Sequence, residues 1–289
     1  MSTRRAVVLA RGLGTRMRAA DPHAPLTPEQ QAAADAGFKP LMPVNGRPFL
    51  DYVLSALADA GITAVALVVA PDHDALRRRY AIDAPPSRVR VTFVVQREPQ
   101  GTANAVLAAE GWTDGKPFLT LNADNIYPVR ALADLSALDE PGLCIFEREA
   151  LVSSGNIPAD RVRAFALVQV DHSGYLTSIV EKPAPGEAVG LPPEGGSYKS
   201  STPVASAWRK DEVMVSMNCW HFDSRIFAAC RDVPRSSRGE FELPQAVGLA
   251  IARGVRFRAV RAHGAVLDLS RRADAADLAR RLVGVSPRP

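Results

Sequence analysis

Apolar and polar positions along this chain follow two alternating periods. Residues 6–10, 64–70, 89–95 and 117–122 are short, nearly continuous apolar runs, the pattern of strands covered on both faces. Between them, residues 48–60 place Leu50, Val53, Leu54 and Leu57 on one helical face, and residues 103–112 offer Val106, Leu107 and Ala109 for a second helix. A further helix is expected within 25–37, capped at Thr27 and closed at Gly37. This order predicts an α/β fold with a mixed, mostly parallel central sheet, whose right-handed crossovers bring the carboxyl ends of the strands to one rim. From about residue 142 the texture changes. Residues 165–171 and 175–181 flank His172-Ser173-Gly174 as a β-hairpin. A stretch rich in Pro, Gly and Ser at 184–210 then reads as a surface insertion or lid, before a strand at 212–222. Beyond residue 255 there is room for two strands and a helix at 271–283.

Composition narrows the class. With 289 residues, 47% hydrophobic and 23% charged, the chain can bury a core without staples. Its longest apolar run, 64–70, stops at Pro71 after seven residues, far short of the roughly 20 that cross a bilayer. The apolar 6–10 stretch is too short for a secretory signal, so the expectation is a cytoplasmic protein with no membrane partner. Cys144, Cys219 and Cys230 have no metal or redox spacing and read as small buried hydrophobes. Trp112, Trp208 and Trp220 likewise read as packing residues. The net charge of +4 comes from scattered arginines, and the run Arg77-Arg78-Arg79 reads as a solvated helix face. Phosphorylated small molecules explain such a balance as well as nucleic acid does, and no nucleic-acid partner is expected. A homo-oligomer is compatible with the sequence and is specified by nothing in it.

The first strand leads into Leu9-Ala10-Arg11-Gly12-Leu13-Gly14-Thr15-Arg16-Met17. Glycines after a first parallel strand let backbone N–H groups approach a phosphate. The loop is not a dinucleotide fingerprint, because Met17 stands where a third glycine is needed, and no GK[ST] follows to make a P-loop.

Together with Phe38-Lys39-Pro40-Leu41-Met42-Pro43-Val44 and Gly46-Arg47-Pro48, this loop resembles the opening of the sugar-1-phosphate nucleotidylyltransferases. Gln96 with Gln100-Gly101-Thr102-Ala103 is similar to that family's base-reading segment, and Leu121-Asn122-Ala123-Asp124-Asn125 to its metal-binding strand end. Ile179-Val180-Glu181-Lys182-Pro183 resembles its sugar-phosphate motif, and Val266-Leu267-Asp268-Leu269 the segment with the second metal carboxylate. The motifs run in family order from residue 6 to about 280. The resemblance implies one three-layer α/β/α, Rossmann-like nucleotidyltransferase domain over residues 1–289. Residues 1–140 would be its nucleotide-binding half, and 141–289 a smaller, β-rich sugar-binding half carrying the 184–210 insertion.

The chemistry implied is attack of a sugar 1-phosphate, or a sugar-like cyclitol phosphate, on the α-phosphate of a nucleoside triphosphate, with Mg²⁺ as cofactor. Two anions must then be brought together, and cations must offset their repulsion. Arg16 would lie over the triphosphate and Lys39 would bridge the reacting phosphates. Asp124 and Asp268 would hold the metal, with Asp124 counted among the reacting groups alongside Arg16 and Lys39. Leu9, Ala10, Gly12, Gly14, Thr15, Gln96, Gly101 and Thr102 would bind the nucleotide, and Glu181, Lys182 and Asn218 the sugar phosphate. Asn125 is either a partner of the metal carboxylates or a turn residue. His221 is not needed as a base, since a phosphate monoester is already an anionic nucleophile.

Several positions depart from the family pattern: Arg11 where alanine is usual, Ala123 for glycine, and Phe165-Ala166 for Tyr-Gly. The intervals at 19–38 and 184–210 are also long for the family, and at least one is expected to act as a mobile flap. A non-catalytic sugar-nucleotide sensor of the same fold is the alternative; it would be expected to lack one of the charged groups, and Arg16, Lys39, Asp124 and Asp268 are all present. A nicotinamide-dependent dehydrogenase would need a third loop glycine and an acidic residue after the second strand; Met17 replaces the first, and Pro71-Asp72 is a poor version of the second.

Overall fold

The first strand, β1 (Arg5–Leu9), sends Ala6 and Val8 into one apolar core and Val7 into another, so a layer must cover each face of its sheet. The computed structural model describes residues 2–12, 14–19, 21–163, 165–181 and 214–289. Its further strands are β2 (Pro43–Val44), β3 (Arg47–Pro48), β4 (Ala64–Val69), β5 (Arg90–Val95), β6 (Phe118–Asn122) and β7 (Asn125–Ile126). They continue with β8 (Gly142–Phe146), β9 (Ala166–Val170), β10 (Leu176–Val180), β11 (Met214–Phe222), β12 (Arg258–Arg261) and β13 (Leu267–Asp268). The helices are α1 (Thr15–Arg18), α2 (Pro28–Asp35), α3 (Phe49–Asp59), α4 (Asp74–Arg78), α5 (Thr102–Ala108) and α6 (Glu110–Thr113). After these come α7 (Val129–Ser136), α8 (Arg148–Ser153), α9 (Ala159–Val162), α10 (Arg225–Asp232), α11 (Leu243–Ala252) and α12 (Arg272–Arg281).

Among the described residues nine strands form one mixed sheet, in which β6, β1, β4 and β5 lie parallel in that order. On one face α3, α7 and α12 supply Leu50, Leu54, Leu132 and Leu278; on the other, α5, α10 and α11 supply Val106, Phe227 and Val247. The predicted α/β architecture is therefore present. Trp220 is fully buried and stacks on Phe222, with ring centres 5.6 Å apart, and Trp112 lies under the Arg5 guanidinium. Both are packing residues, as expected. The three described cysteines are free and buried. His221 is held between Thr3 Oγ1 and the Glu140 carbonyl, each at 2.8 Å, a structural position that burial reinforces by lowering its pKa.

At β11 the sheet forks. Its first residues, Met214–Ser216, pair with β9, whereas Trp220–Phe222 pair with β6, and β8 runs along the opposite edge with a register break between Ser216 and Trp220. Asn218 sits in that break with φ of 58°, in the left-handed region. Tyr127 pins it by donating from its hydroxyl to the Met217 carbonyl at 2.5 Å. The gap between the two arms opens beside the carboxyl end of β6.

Two local expectations are corrected. The helix predicted over 103–112 is interrupted at Ala109, ahead of Gly111, a poor helix former. The run 77–79 is not a uniform solvated face. Arg77 donates to the Ala70 and Pro71 carbonyls at 3.0 and 2.9 Å, and Arg79 reaches Asp51, which is 1% exposed and would be costly to bury without Arg47, Arg79 and the Tyr80 hydroxyl. The helix expected within 25–37 is α2, with Thr27 and Gln30 forming a reciprocal capping box. It is tied down by Gln30 donating to the Pro43 carbonyl at 2.9 Å and by Arg272 donating to Gln31 Oε1 at 2.7 Å. The insertion at 184–210, Trp208 and Lys182 lie outside the described residues.

Candidate active site

The carboxyl ends of β1 and β6 meet at a cavity of about 290 Å³ lined by Leu9, Ala10, Arg11, Gly12, Gly14, Lys39, Gln96, Gly101, Thr102 and Asp124. Next to it, in the fork, a second cavity of about 230 Å³ is lined by Arg16, Asp124, Phe165, Ala166, Glu181, Asn218 and Asp268. A third, of about 240 Å³, joins them through Gly14, Thr15, Arg16, Lys39, Asp124 and Ser270. Every described site residue expected from the sequence thus lines at least one of three cavities that share Asp124.

Local structure explains the placements. Gly14, at φ 61°, precedes α1 and turns Thr15 and Arg16 toward the third cavity. The carbonyls of Met17 and Arg18 at the end of α1 accept from Arg272 at 2.9 and 3.1 Å, so a helix 250 residues later anchors the Arg16 turn. Lys39 opens a short 3₁₀ turn, Lys39–Leu41, over the buried Pro40, and its Nζ lies 2.5 Å from Asp124 Oδ2. Gln96 is 4% exposed; its amide nitrogen donates to the Gly101 carbonyl at 3.0 Å and to Asn104 Oδ1 at 2.9 Å, leaving its side-chain carbonyl as the group it can offer a base.

Gly101 and Thr102, in the segment expected to read the base, also make close contacts with the protein itself. At φ 104°, a Cβ at Gly101 would fall 2.5 Å from the Phe241 carbonyl oxygen and 2.7 Å from its nitrogen. Thr102 accepts from the Leu243 N–H at 2.9 Å, which caps the start of α11, while still lining the first two cavities. Arg11 donates from Nε to the Gln96 carbonyl at 2.7 Å and from a terminal nitrogen to the Arg97 carbonyl at 3.0 Å; its other terminal nitrogen is buried without a hydrogen bond. This departure from the family pattern therefore straps the β1 loop to the segment after β5.

The Asp124–Asp268 region is strongly charged and partly dry. Asp268 pairs with Asn125 in the short β7–β13 ladder, and its Oδ1 accepts from Asn125 at 2.9 Å and Ser270 Oγ at 3.1 Å. Asn125 is thus a partner of the Asp268 carboxylate and a strand residue of β7 rather than a turn residue. Burial, and then the charge of Asp124, push the Asp268 carboxyl up to about 6, against the pull of Arg161 and Lys39. Asp268 Oδ2 is buried without a hydrogen bond, although Arg161 approaches it at 3.0 Å in an ion pair. An oxygen-rich pair with one unbonded buried oxygen suits a hard divalent cation, provided that phosphate oxygens complete its shell, because no third acidic or imidazole group joins the pair among the described residues.

In the fork, Asn218 Oδ1 accepts from Trp220 Nε1 at 3.3 Å. Burial first, and then the Glu242 carboxylate, hold the Glu181 carboxyl up to about 7, with Arg238 opposing. The segment 236–242 was not singled out by the sequence, yet Arg238, Glu240 and Glu242 line the second cavity. Its only signal was a cluster of charge around Gly239.

Residues 5–269 match the family model described as nucleotidyl transferase. The chain belongs to the nucleotidyl transferase family. Among relatives of this nucleotidyl transferase, the UTP–glucose-1-phosphate uridylyltransferase of Haloferax volcanii is 27% identical over 277 residues, covering 96% of each chain. A glucose-1-phosphate thymidylyltransferase of Xanthomonas campestris is 30% identical over 186 residues, 63% of this chain and 56% of that one. Among solved structures, a UDP-glucose pyrophosphorylase complexed with UDP-glucose superposes with a TM-score of 0.69 at 15% identity, covering 97% of this chain and 98% of the other. The inositol-1-phosphate CTP transferase of T. maritima does so with a TM-score of 0.67 at 15% identity, covering 99% of both. These last two likenesses place the nucleotidyl transferase in their fold. No helix among the described residues is long and apolar enough to cross a membrane.

Proposed function

We propose that the protein transfers a nucleoside monophosphate from a nucleoside triphosphate to a sugar 1-phosphate, or a sugar-like cyclitol phosphate, releasing pyrophosphate. The observation that carries this reading is that the cavities on both sides of the Lys39–Asp124 pair meet at it, one closed by Gln96 and the other by Glu181 and Asn218. The uridylyl- and thymidylyltransferase relatives, which are named for glucose 1-phosphate, support it.

One oxygen of the sugar phosphate attacks the α-phosphorus, the bond from that phosphorus to the bridging oxygen breaks, and pyrophosphate departs with the electron pair. Arg16 meets the departing phosphates from its turn after Gly14. Lys39 draws the two reacting phosphates together, offsetting their repulsion in a site walled by apolar strands. The β1 loop, with Leu9, Ala10, Gly12, Gly14 and Thr15, receives the triphosphate and the base. Glu181 and Asn218 receive the sugar; Lys182, expected to pair with its phosphate, lies outside the described residues. Asp124 and Asp268 would hold Mg²⁺, which supplies charge neutralisation to the phosphate oxygens. Three unpaired thiols fit a cytoplasmic setting.

The test is pyrophosphate release over ATP, CTP, GTP, UTP and dTTP against glucose 1-phosphate and inositol 1-phosphate, with and without Mg²⁺. One pairing should turn over in a metal-dependent way. Silence across the matrix, in a folded protein that still binds nucleotide sugars, would overturn the proposal in favour of a sensor. Asp124→Ala should lower turnover by about 10²-fold or more with the fold intact; normal metal-dependent activity in that variant would remove Asp124 from the site.

A further inference from the structure

Each of the two carboxylates assigned to the cation already has a cation of the protein beside it. Asp124 pairs with Lys39 at 2.5 Å, and Asp268 with Arg161 at 3.0 Å. Arg161 is only 5% exposed, and its other terminal nitrogen grips both oxygens of Asp274, at 3.0 and 2.9 Å. Asp274 is fixed in turn, because its Oδ2 accepts from the N–H groups of Ser270 and Arg271, each at 2.7 Å. The same stretch holds the main chain of Asp268. Asn156 donates to its carbonyl and accepts from its N–H, both at 2.7 Å, so one side-chain amide completes the ladder that β13 lacks on that edge. Gly155 lets the stretch press close, since a Cβ there would fall 2.5 Å from the Leu151 carbonyl oxygen and 2.7 Å from that of Val266.

We propose that Arg161 is a positioning residue, the resident counterion of Asp268, and that it keeps the site closed to a free divalent cation until nucleotide phosphates arrive. The proposal rests on the function proposed above. The oxygens that would take the ion already face protein cations, so a free ion must compete with Lys39 for Asp124 and with Arg161 for Asp268 Oδ2. A triphosphate changes this balance by adding negative charge and oxygen ligands and by drawing Lys39 from Asp124. Arg161 then yields Asp268 Oδ2 to the ion, while Asp274 keeps hold of its other terminal nitrogen. Without Arg161, the buried Oδ2 of Asp268 would have no cation beside it whenever the metal is absent, although Asn125 and Ser270 still donate to Oδ1.

The experiment is a Mn²⁺ titration followed by electron paramagnetic resonance, with and without a non-hydrolysable nucleoside triphosphate analogue. In the unmodified protein, Mn²⁺ should bind at least about tenfold more tightly with the analogue than the sum of analogue alone and protein alone accounts for. Protein that binds free Mn²⁺ as tightly without the analogue overturns the proposal, whatever the variants do. The double variant Arg161→Gln/Asp274→Asn removes the arginine without stranding Asp274; it should bind free Mn²⁺ at least about tenfold more tightly than the parent, while affinity with the analogue moves less than about threefold. Arg161→Lys, which keeps the charge, should return free Mn²⁺ binding to the parent value. Unchanged or weaker free Mn²⁺ binding in a folded double variant overturns the role of Arg161. Asp268→Asn separates the two readings: retention of full Mn²⁺ binding with the analogue would overturn the site itself, and its loss leaves only Arg161 in question.

Discussion

At Glu181, a carboxyl held up to about 7 by burial and by Glu242 stands where a sugar is expected, and both its stability and its binding therefore depend on pH. The folded state favours the protonated acid, so this residue favours folding most below the usual carboxyl value of 4.5, and that contribution is lost as pH rises to about 7. The swing is of order 3 kcal/mol at most. Urea unfolding of Glu181→Gln should lack that component, the variant gaining on the parent between pH 5 and 8. Binding has the opposite sign, because sugar hydroxyls donate to the carboxylate. In the parent, kcat/KM for the sugar phosphate should fall below about pH 7, and Glu181→Gln should lack that limb while keeping any limb due to the substrate phosphate. Lys39 and Asp124 were legible because each sits in a run of residues whose types and order carry meaning together. Asn156, Arg161 and Arg272 were not, since each is a polar residue without periodicity whose partners lie 112, 113 and 255 positions away.

Among the elements, those governed by neighbouring residues were readable. The apolar runs of β1 and β4, the β9–β10 hairpin around Gly174 and the capping box of α2 all rest on local rules of period, turn and cap. Strand β8 was missed: its five residues are buried on both faces, but only its neighbours β11 and β12 make it a strand, and both come more than 65 residues later. The fork in β11 was likewise invisible, because a bulge is written in the register between strands rather than in one strand's sequence. The loop at Gly101 gives a direct test of element packing. Gly101→Ala must both adopt φ of 104° and displace the Phe241 backbone. It should destabilise the protein by more than about 1 kcal/mol in thermal unfolding and raise KM for the nucleotide more than for the sugar phosphate. An unaltered melting temperature would mean that the 236–242 segment is not pressed against Gly101 in solution.

Across the whole molecule, one sheet feeds two cores, and the cavities lie where the carboxyl ends of its parallel strands run out. That much was legible from the alternation of strand and helix. A ligand that binds only this assembled rim must stabilise the fold, by about 2.7 kcal/mol at a hundredfold excess over Kd. The preferred triphosphate with Mg²⁺ should therefore raise the melting temperature, and Asp124→Ala should lose most of the increment contributed by the metal. Calorimetric traces identical with and without nucleotide would contradict the proposed site. The fork has one more consequence. Because β11 is a single strand pairing with β9 at one end and β6 at the other, the span from the cavity holding Glu181 to the rim holding Asp124 is set by backbone register rather than by a loop. The sheet then works as a gauge. On the proposed function, substrates differing in ring substituents should be tolerated through side chains such as Phe165 and Asn218, whereas one that carries its phosphate a single methylene farther from the ring should turn over poorly, because a strand cannot stretch to meet it.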